Sequence, residues 1–334
     1  MTDLEREDVA AVAGLPYDWA KLRGKTLLIS GGTGFIGSFL AEVLRWRNRA
    51  FGDGIRMISL SRGGGPSDET VTCWQADVTG PFPDPGPVDY VLHLASNTHP
   101  RQYGADPVGT ILTNVLGCDR LLKLAAQKRA RFLLASSVEI YGEGSREPME
   151  ETDCGYLDCN RPRAGYNEAK RTCEALCQAY GKQYGVDFVT VRLARVFGPD
   201  RKRDTKAMAQ FLEMVLAGEN VILKSDGTQR FSYCYVADCV SGMLKVLLDG
   251  ERGQAYNLAE EDEGLTLGGY AEKIAGLAGK KVVYEIRPDE AASRADYALL
   301  DTRKLKGLGW KPLYSVSQGL ERTYQIYIDR RKSL

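Results

Sequence analysis

The chain has 334 residues, in which 44 lysines and arginines balance 44 aspartates and glutamates. No net charge draws it to nucleic acid or to an anionic membrane, and no uninterrupted apolar run is long enough to span a bilayer or serve as a secretory leader, so the expectation is a cytoplasmic protein with no nucleic-acid or membrane partner. Eight cysteines without zinc-like spacing, and histidines only at His93 and His99, leave neither a metal site nor a Ser-His-Asp arrangement to be expected.

Leu4, Val9 and Val12 mark a short helix in an extension over residues 1–24, ended by Gly14 and Pro16. Tyr17 and Lys21 form a Tyr-x-x-x-Lys pair there, ahead of the first strand, and read as coincidence. The run Thr26-Leu27-Leu28-Ile29 reads as a buried strand. Glycines follow at 31, 34 and 37, then apolar residues at 36, 39, 40, 43 and 44 in helical spacing. Between a strand and a helix this glycine pattern predicts a dinucleotide site. Gly31 serves the tight turn, Gly34 lets backbone approach a pyrophosphate, and Gly37 lets the helix pack on the strand. Thr33, Phe35 and Ile36 complete the stretch at the helix N-terminus, whose N–H groups and dipole favour phosphate.

Residues 55–60 form the second strand. At its end an NAD site usually carries an acid for the adenosine ribose hydroxyls, whereas this chain has Ser61-Arg62. Arg62 either pairs with a 2′-phosphate, stacks on adenine, or is a solvated surface charge. A third strand at 71–75 leads to Asp77-Val78, and a loop with four prolines among residues 81–87 follows. The fourth strand, 88–94, ends in His93-Leu94-Ala95-Ser96 at the carboxyl edge, where such sheets bind ligands. His93 is either a ligand contact or a hydrogen-bonded core histidine.

Residues 110–127 form a long amphipathic helix containing Asn114. The strand at 131–135 runs into Ser136-Ser137-Val138-Glu139, a helix covers 166–181, and the sixth strand is 188–193. Strand–helix alternation to about residue 195 predicts an α/β fold, a Rossmann-type doubly wound parallel sheet over 25–195. Residues 196–334 read as a smaller α/β region, mainly a substrate-binding domain with segments returning to the first. Its helices are expected near 206–217, 238–248 and 267–278, and its strands near 221–224 and 281–286.

In Tyr166-Asn167-Glu168-Ala169-Lys170, Tyr166 and Lys170 share a helical face. An ammonium close to a phenol lowers the phenol's pKa. Tyr166 can then take a proton from a substrate hydroxyl while hydride leaves the same carbon for nicotinamide. Lys170 is placed to bind the nicotinamide ribose as well. Ser137, at a strand end, orients the reacting oxygen.

Gly31-Gly32-Thr33-Gly34-Phe35-Ile36-Gly37, Asp77, Ser137, Tyr166, Lys170, Gly198-Pro199 and the ending Leu308-Gly309-Trp310-Lys311-Pro312 together resemble the extended short-chain dehydrogenase/reductases that act on nucleotide sugars as epimerases, dehydratases and decarboxylases. His93-Leu94-Ala95-Ser96, Thr113-Asn114-Val115-Leu116-Gly117 and the stretch from Pro162 to Arg171 are most similar to UDP-glucuronate decarboxylases. The resemblance implies cofactor contacts at the glycine stretch, Arg62, Asp77, Val78, Leu94, Ala95, Ser96, Asn114, Tyr166 and Lys170. It implies substrate contacts at Ser96, Ser137, Val138, Arg195, Arg230 and Arg294, and adds Glu139, which dehydratases and decarboxylases carry, to the catalytic set. Three positions depart from the family pattern. Val138 replaces an aspartate or serine, Arg195 replaces a frequent substrate-contacting asparagine, and Arg230 stands one place before the usual arginine.

The family implies NAD, while Ser61 and Arg62 predict that NADP is at least tolerated, and the family further implies a homodimer packed through the helices near 110–127 and 166–181. The expected activity is redox-neutral. The sugar is oxidised at C4, the 4-ketone reacts, and the cofactor is restored. A UDP-hexuronate decarboxylase or 4-epimerase ranks first and a 4,6-dehydratase second. A net reductase or a non-catalytic cofactor-binding protein remains the alternative of another class.

Overall fold

Parallel strands covered on both faces need continuous apolar stretches rather than alternation, and β1 (Thr26–Ser30) is buried at every position. The computed structural model describes residues 1–97, 104–143, 147–200, 206–286 and 297–332. In it β1 lies within a seven-stranded sheet. The other strands are β2 (Arg56–Ser61), β3 (Val71–Gln75), β4 (Tyr90–His93), β5 (Arg131–Ser137), β6 (Phe188–Leu193) and β11 (Ala255–Leu258). Their order is β11-β6-β5-β4-β1-β2-β3, every neighbour parallel. Successive residues of a strand face opposite sides, so Leu27 and Ile29 enter one core and Leu28 the other. Helices Phe35–Phe51 and Val236–Asp249 close the first core; Pro107–Lys128 and Ala164–Tyr184 close the second.

From β1 the chain runs outward to β2 and β3, then returns to lay β4 on the other side of β1, with Ser30 opposite His93. That reversal opens a crevice at the carboxyl ends of β1 and β4. The glycine turn sits in it. Gly31 has φ +76°, and a Cβ there would lie 2.9 Å from the backbone nitrogen of Ala95. A Cβ on Gly37 would lie 2.5 Å from the Gly31 carbonyl oxygen. Both neighbours are backbone and cannot move aside, so the turn, the β4 exit and the helix fit only without side chains.

Beyond β6 three short parallel pairs follow. β7 (Arg195–Phe197) pairs with β10 (Tyr233–Tyr235), β8 (Val221–Leu223) with β12 (Val282–Tyr284), and β9 (Arg230–Phe231) with β13 (Tyr297–Ala298). Among the elements the sequence reading did not anticipate, two are extensive enough to shape the fold. Strand β11 adds the seventh strand of the main sheet although its run is short and broken by a polar residue, Asn257. That residue is fully buried and satisfied by distant partners. Its Nδ2 donates to the carbonyls of Met149 (2.9 Å) and Asp301 (3.0 Å), and its Oδ1 accepts from the Tyr141 hydroxyl at 2.6 Å. Helix Val316–Lys332 buries Val316, Leu320, Thr323 and Ile326 on one face, while charged residues on the rest of its surface mask that stripe.

The helix Asp3–Ala13 begins with a capping box between Thr2 and Glu5. Arg322 binds its buried Asp8 at 2.7 Å, and Arg330 binds Glu5 at 2.7 Å. The first and last helices are thereby tied together. No described helix is long and apolar enough to cross a membrane.

Candidate active site

At the glycine turn, Gly34 is the N-cap of helix Phe35–Phe51 and makes no side-chain capping bond. The first N–H groups of the helix are therefore left for an anion. Thr33 Oγ1 lies 2.6 Å from Ser61 Oγ, so the end of β2 presents a hydroxyl pair where an acid is usual. Arg62 is exposed beyond it. Asp77 accepts from the backbone and hydroxyl of Thr79 (2.8 and 2.7 Å), which hold its carboxyl below the usual range against some burial, with Arg62 adding to the effect. Val78 is buried against Gly117, and Leu94, Ala95 and Ser96 line the β4 exit half-buried, with the Ser96 hydroxyl 3.4 Å from the Asn97 carbonyl.

His93 has no exposed surface. Its Nε2 lies 3.4 Å from the Asn114 carbonyl and its Nδ1 2.7 Å from Ser30 Oγ. A carbonyl only accepts, so Nε2 carries the proton and Nδ1 accepts from Ser30. Ser30 in turn accepts from the Ala95 N–H at 3.3 Å. Burial, with the Lys170 charge adding, pushes the imidazole pKa down to about 3. Of the two readings of His93, the structure shows the core histidine, a neutral link between β1, β4 and helix Pro107–Lys128. Asn114 is equally buried. Its Nδ2 donates to the Thr110 carbonyl at 2.8 Å, while its Oδ1 has no partner among the described residues.

Strand β5 continues past Leu134, the residue opposite His93, as far as Ser137. Ser137 therefore stands at the carboxyl edge. It caps the tight turn Val138–Tyr141, its Oγ accepting from the Glu139 N–H at 3.3 Å. Facing it, helix Ala164–Tyr184 carries Tyr166 and Lys170 on one side, 7 % and 3 % exposed. Lys170 Nζ donates to the Ala135 carbonyl at 2.8 Å and lies 5.9 Å from the Tyr166 ring centroid. Burial lowers the lysine's pKa, and Cys173, Cys118 and Glu174 partly offset it.

Two residues absent from the expected site hold this geometry. Asn167 Nδ2 donates to the Glu139 carbonyl at 2.8 Å and to its carboxylate at 3.2 Å. Arg171 donates to the carbonyls of Ile140 (2.7 Å) and Gly155 (2.6 Å). The turn after Ser137 is thus pinned to the helix bearing Tyr166. The signal was present in the sequence, since Asn167 and Arg171 each directly follow a motif residue. Val138 is buried among apolar side chains with Ile140 and Tyr141.

Of the three arginines expected near the substrate, Arg195 begins β7 and stacks on Phe231, its guanidinium carbon 3.5 Å from the ring centroid. Arg230 is paired with Asp262, and Arg294 lies outside the described residues. Ser137 and Glu139 lie on the strand end and turn that are hydrogen-bonded to the helix segment carrying Tyr166 and Lys170; Arg62 and Asp77 lie at the ends of β2 and β3.

The profile of the NAD dependent epimerase/dehydratase family matches residues 27–259. UDP-glucuronic acid decarboxylase 1 of Danio rerio is 32% identical over 317 residues, covering 91% of this chain and 72% of that protein. UDP-glucuronic acid decarboxylase 5 of Arabidopsis thaliana is 32% identical over 308 residues, covering 88% and 86%. Among solved structures, the UDP-glucuronic acid 4-epimerase of Bacillus cereus, a Tyr-to-Phe mutant with UDP-4-deoxy-4-fluoro-glucuronic acid and NAD, superposes with TM-score 0.77 at 22% identity. It covers 92% of this chain and 99% of its own, a likeness of fold.

Proposed function

Since the chain belongs to the NAD-dependent epimerase/dehydratase family, we propose that it converts a UDP-hexuronate through a transient 4-ketone, with loss of the C5 carboxylate ranked first and inversion at C4 second. That it is an NAD-dependent nucleotide-sugar enzyme of the epimerase/dehydratase type follows from its relatives.

The glycine cradle and its uncapped helix N-terminus suit the cofactor's diphosphate. We assign Thr33, Ser61, Arg62, Asp77 and Val78 to the adenosine end, and Leu94, Ala95, Ser96, Asn114, Tyr166 and Lys170 to the nicotinamide end. NAD held there would supply a reversible hydride acceptor for C4 of the sugar. The work of the chain is proton handling and positioning. Tyr166 removes the C4 hydroxyl proton as phenolate, favoured by the Lys170 charge in a site of low dielectric. Ser137 donates to the same oxygen. Once C4 is a ketone, a C5 carboxylate is β to it. The carbon–carbon bond breaks, the ketone takes the electron pair as enolate, and C5 is reprotonated by Glu139 or a water it holds.

The observation that carries this choice is the turn after Ser137. Dehydration needs a base at C5 and an acid for the departing hydroxyl, and this turn supplies one carboxylate, Glu139, beside the buried hydrocarbon Val138. The names of the relatives favour decarboxylation over inversion. The test supplies UDP-glucuronate to NAD-loaded protein and follows carbon dioxide, product mass and the configuration at C4. Release of carbon dioxide is expected. An unreacted uronate together with loss of water from a neutral nucleotide hexose, abolished by Glu139→Gln, overturns the reading.

We take residues 25–195 as the cofactor half and 196–334 as mainly the substrate half, with β11 returning to the sheet, and we assign a homodimer. Val108, Leu112 and Leu116 stand 43–65% exposed along helix Pro107–Lys128. A second copy packing the same face buries this stripe.

A further inference from the structure

We propose that Arg195 is the residue that selects the anionic sugar, its guanidinium receiving the C5 carboxylate of the hexuronate; this rests on the substrate reading above. Nη1 of Arg195 is buried and has no hydrogen-bond partner among the described residues. A guanidinium cannot shed its proton, and a buried N–H without an acceptor is costly. The stack on Phe231 at 3.5 Å fixes its plane but satisfies no N–H.

The neighbouring arginines differ from it in each having a carboxylate. Arg192 forms a two-point pair with Glu174, at 3.1 and 2.7 Å. Arg230 has Asp262. Phe231 follows Arg230 on β9, and alternation along a strand puts the two on opposite sides. The Asp262 pair thus lies away from the side on which Arg195 stacks. Arg195 is the arginine of these three left without a carboxylate among the described residues, and a fork of donors matches a planar carboxylate from a ligand.

Two parts of a nucleotide sugar could supply the anion, the diphosphate or the sugar's own carboxylate. Position decides between them. Leu193 is directly opposite Ser137 in the β5–β6 register, and Arg195 follows two residues later, where the chain leaves β6 to begin β7, within roughly 7 Å along the chain. The C4 hydroxyl must sit on Ser137 and Tyr166, and the C5 carboxylate is one ring carbon away. Arg195 is therefore level with the sugar ring.

The experiment is a calorimetric comparison of UDP-glucuronate with UDP-glucose on NAD-loaded protein in a Tyr166→Phe background, where turnover does not interfere. We expect Arg195→Gln to weaken UDP-glucuronate by about 10- to 100-fold, the scale of a lost bidentate charged contact, and to leave UDP-glucose within about twofold. Arg195→Lys should recover part of the loss, since it keeps charge but not the fork. Equal loss for both ligands means the diphosphate is the anion and overturns the proposal. So does unchanged binding of both. NAD affinity and the unfolding midpoint of each variant check that the fold is intact. If Arg195→Gln erases the preference for the uronate while unsubstituted protein leaves UDP-glucuronate unreacted, the reaction proposed above fails and the assignment of Arg195 stands.

Discussion

A phenol four residues from an ammonium becomes a useful base only where both are held beside a substrate hydroxyl in low dielectric. The chain offers the comparison itself. Lys21 is spent on the Leu248 carbonyl (2.8 Å) and Asp249 (2.9 Å), anchoring the N-terminal segment to helix Val236–Asp249, and Tyr17 stacks on Trp19. Tyr166 and Lys170 are instead buried at the carboxyl edge beside Ser137. Replacing Tyr166 with Phe should lower turnover by about 10²–10⁴-fold, the usual share of a general acid–base group. NAD affinity, measured by calorimetry, should persist. Retention of a large fraction of activity would remove Tyr166 from the mechanism.

At the level of elements, the crevice depends on how closely β1, the glycine turn and helix Phe35–Phe51 approach one another. A methyl group on Gly37 meets the Gly31 carbonyl at 2.5 Å and the Gly32 Cα at 2.6 Å. The helix must tilt off the turn to admit it. Gly37→Ala should therefore cost about 1–3 kcal/mol, as overpacking does. It should weaken NAD more than the loss of stability alone accounts for, because the shifted atoms carry the helix N-terminus. Urea unfolding with and without NAD separates the two effects; a variant that binds NAD normally would show that the helix does not hold the diphosphate.

Across the whole molecule, the junction of β10, helix Val236–Asp249 and the C-terminal region buries two carboxylates side by side. Asp238 accepts from the N–H groups of Leu313 and Tyr314 and Glu260 from that of Tyr235, and the two carboxyl side chains lie within hydrogen-bond reach of each other. Burial pushes Asp238 up to about 7, and burial plus the Asp238 charge pushes Glu260 well above its ordinary value. The folded state keeps protons that the unfolded chain releases, so this stabilisation is complete below the ordinary carboxylate range and is lost as pH rises through the folded values. His93 works the other way. Its folded value of about 3 lies below the unfolded 6.5, so its contribution is lost as pH falls below 6.5. The two oppose each other under acid conditions, and the carboxylate loss should surface above pH 6.5. The urea midpoint is expected to fall between about pH 6.5 and 8, and Glu260→Gln should flatten that decline. An identical slope in the variant would refute the assignment.

Quaternary structure belongs to the same scale. Leu112→Glu, on the exposed stripe of helix Pro107–Lys128, should halve the mass seen by sedimentation without lowering helix content. A protein of unaltered mass would place the subunit contact elsewhere.

Sequence by itself determined the elements whose signals are local. Apolar runs gave β1 to β6, the spacing of glycines between a strand and a helix gave the tight turn at the carboxyl end of β1, and helical spacing brought Tyr166 and Lys170 to one face. Each depends on residues a few positions apart, where backbone geometry is nearly fixed. Tertiary structure decided what depends on partners distant in the chain. Asn257 looks like a strand breaker until Met149, Asp301 and Tyr141 satisfy it, which is how β11 joins the sheet. His93 became a neutral core residue because Ser30 and the Asn114 carbonyl close around it. Arg195 and Arg230 are both arginines near one short strand, and only the fold gave one of them Asp262 and left the other, among the described residues, without a carboxylate. Burial and pairing set the chemistry of a charged group, and neither is written in the residues beside it.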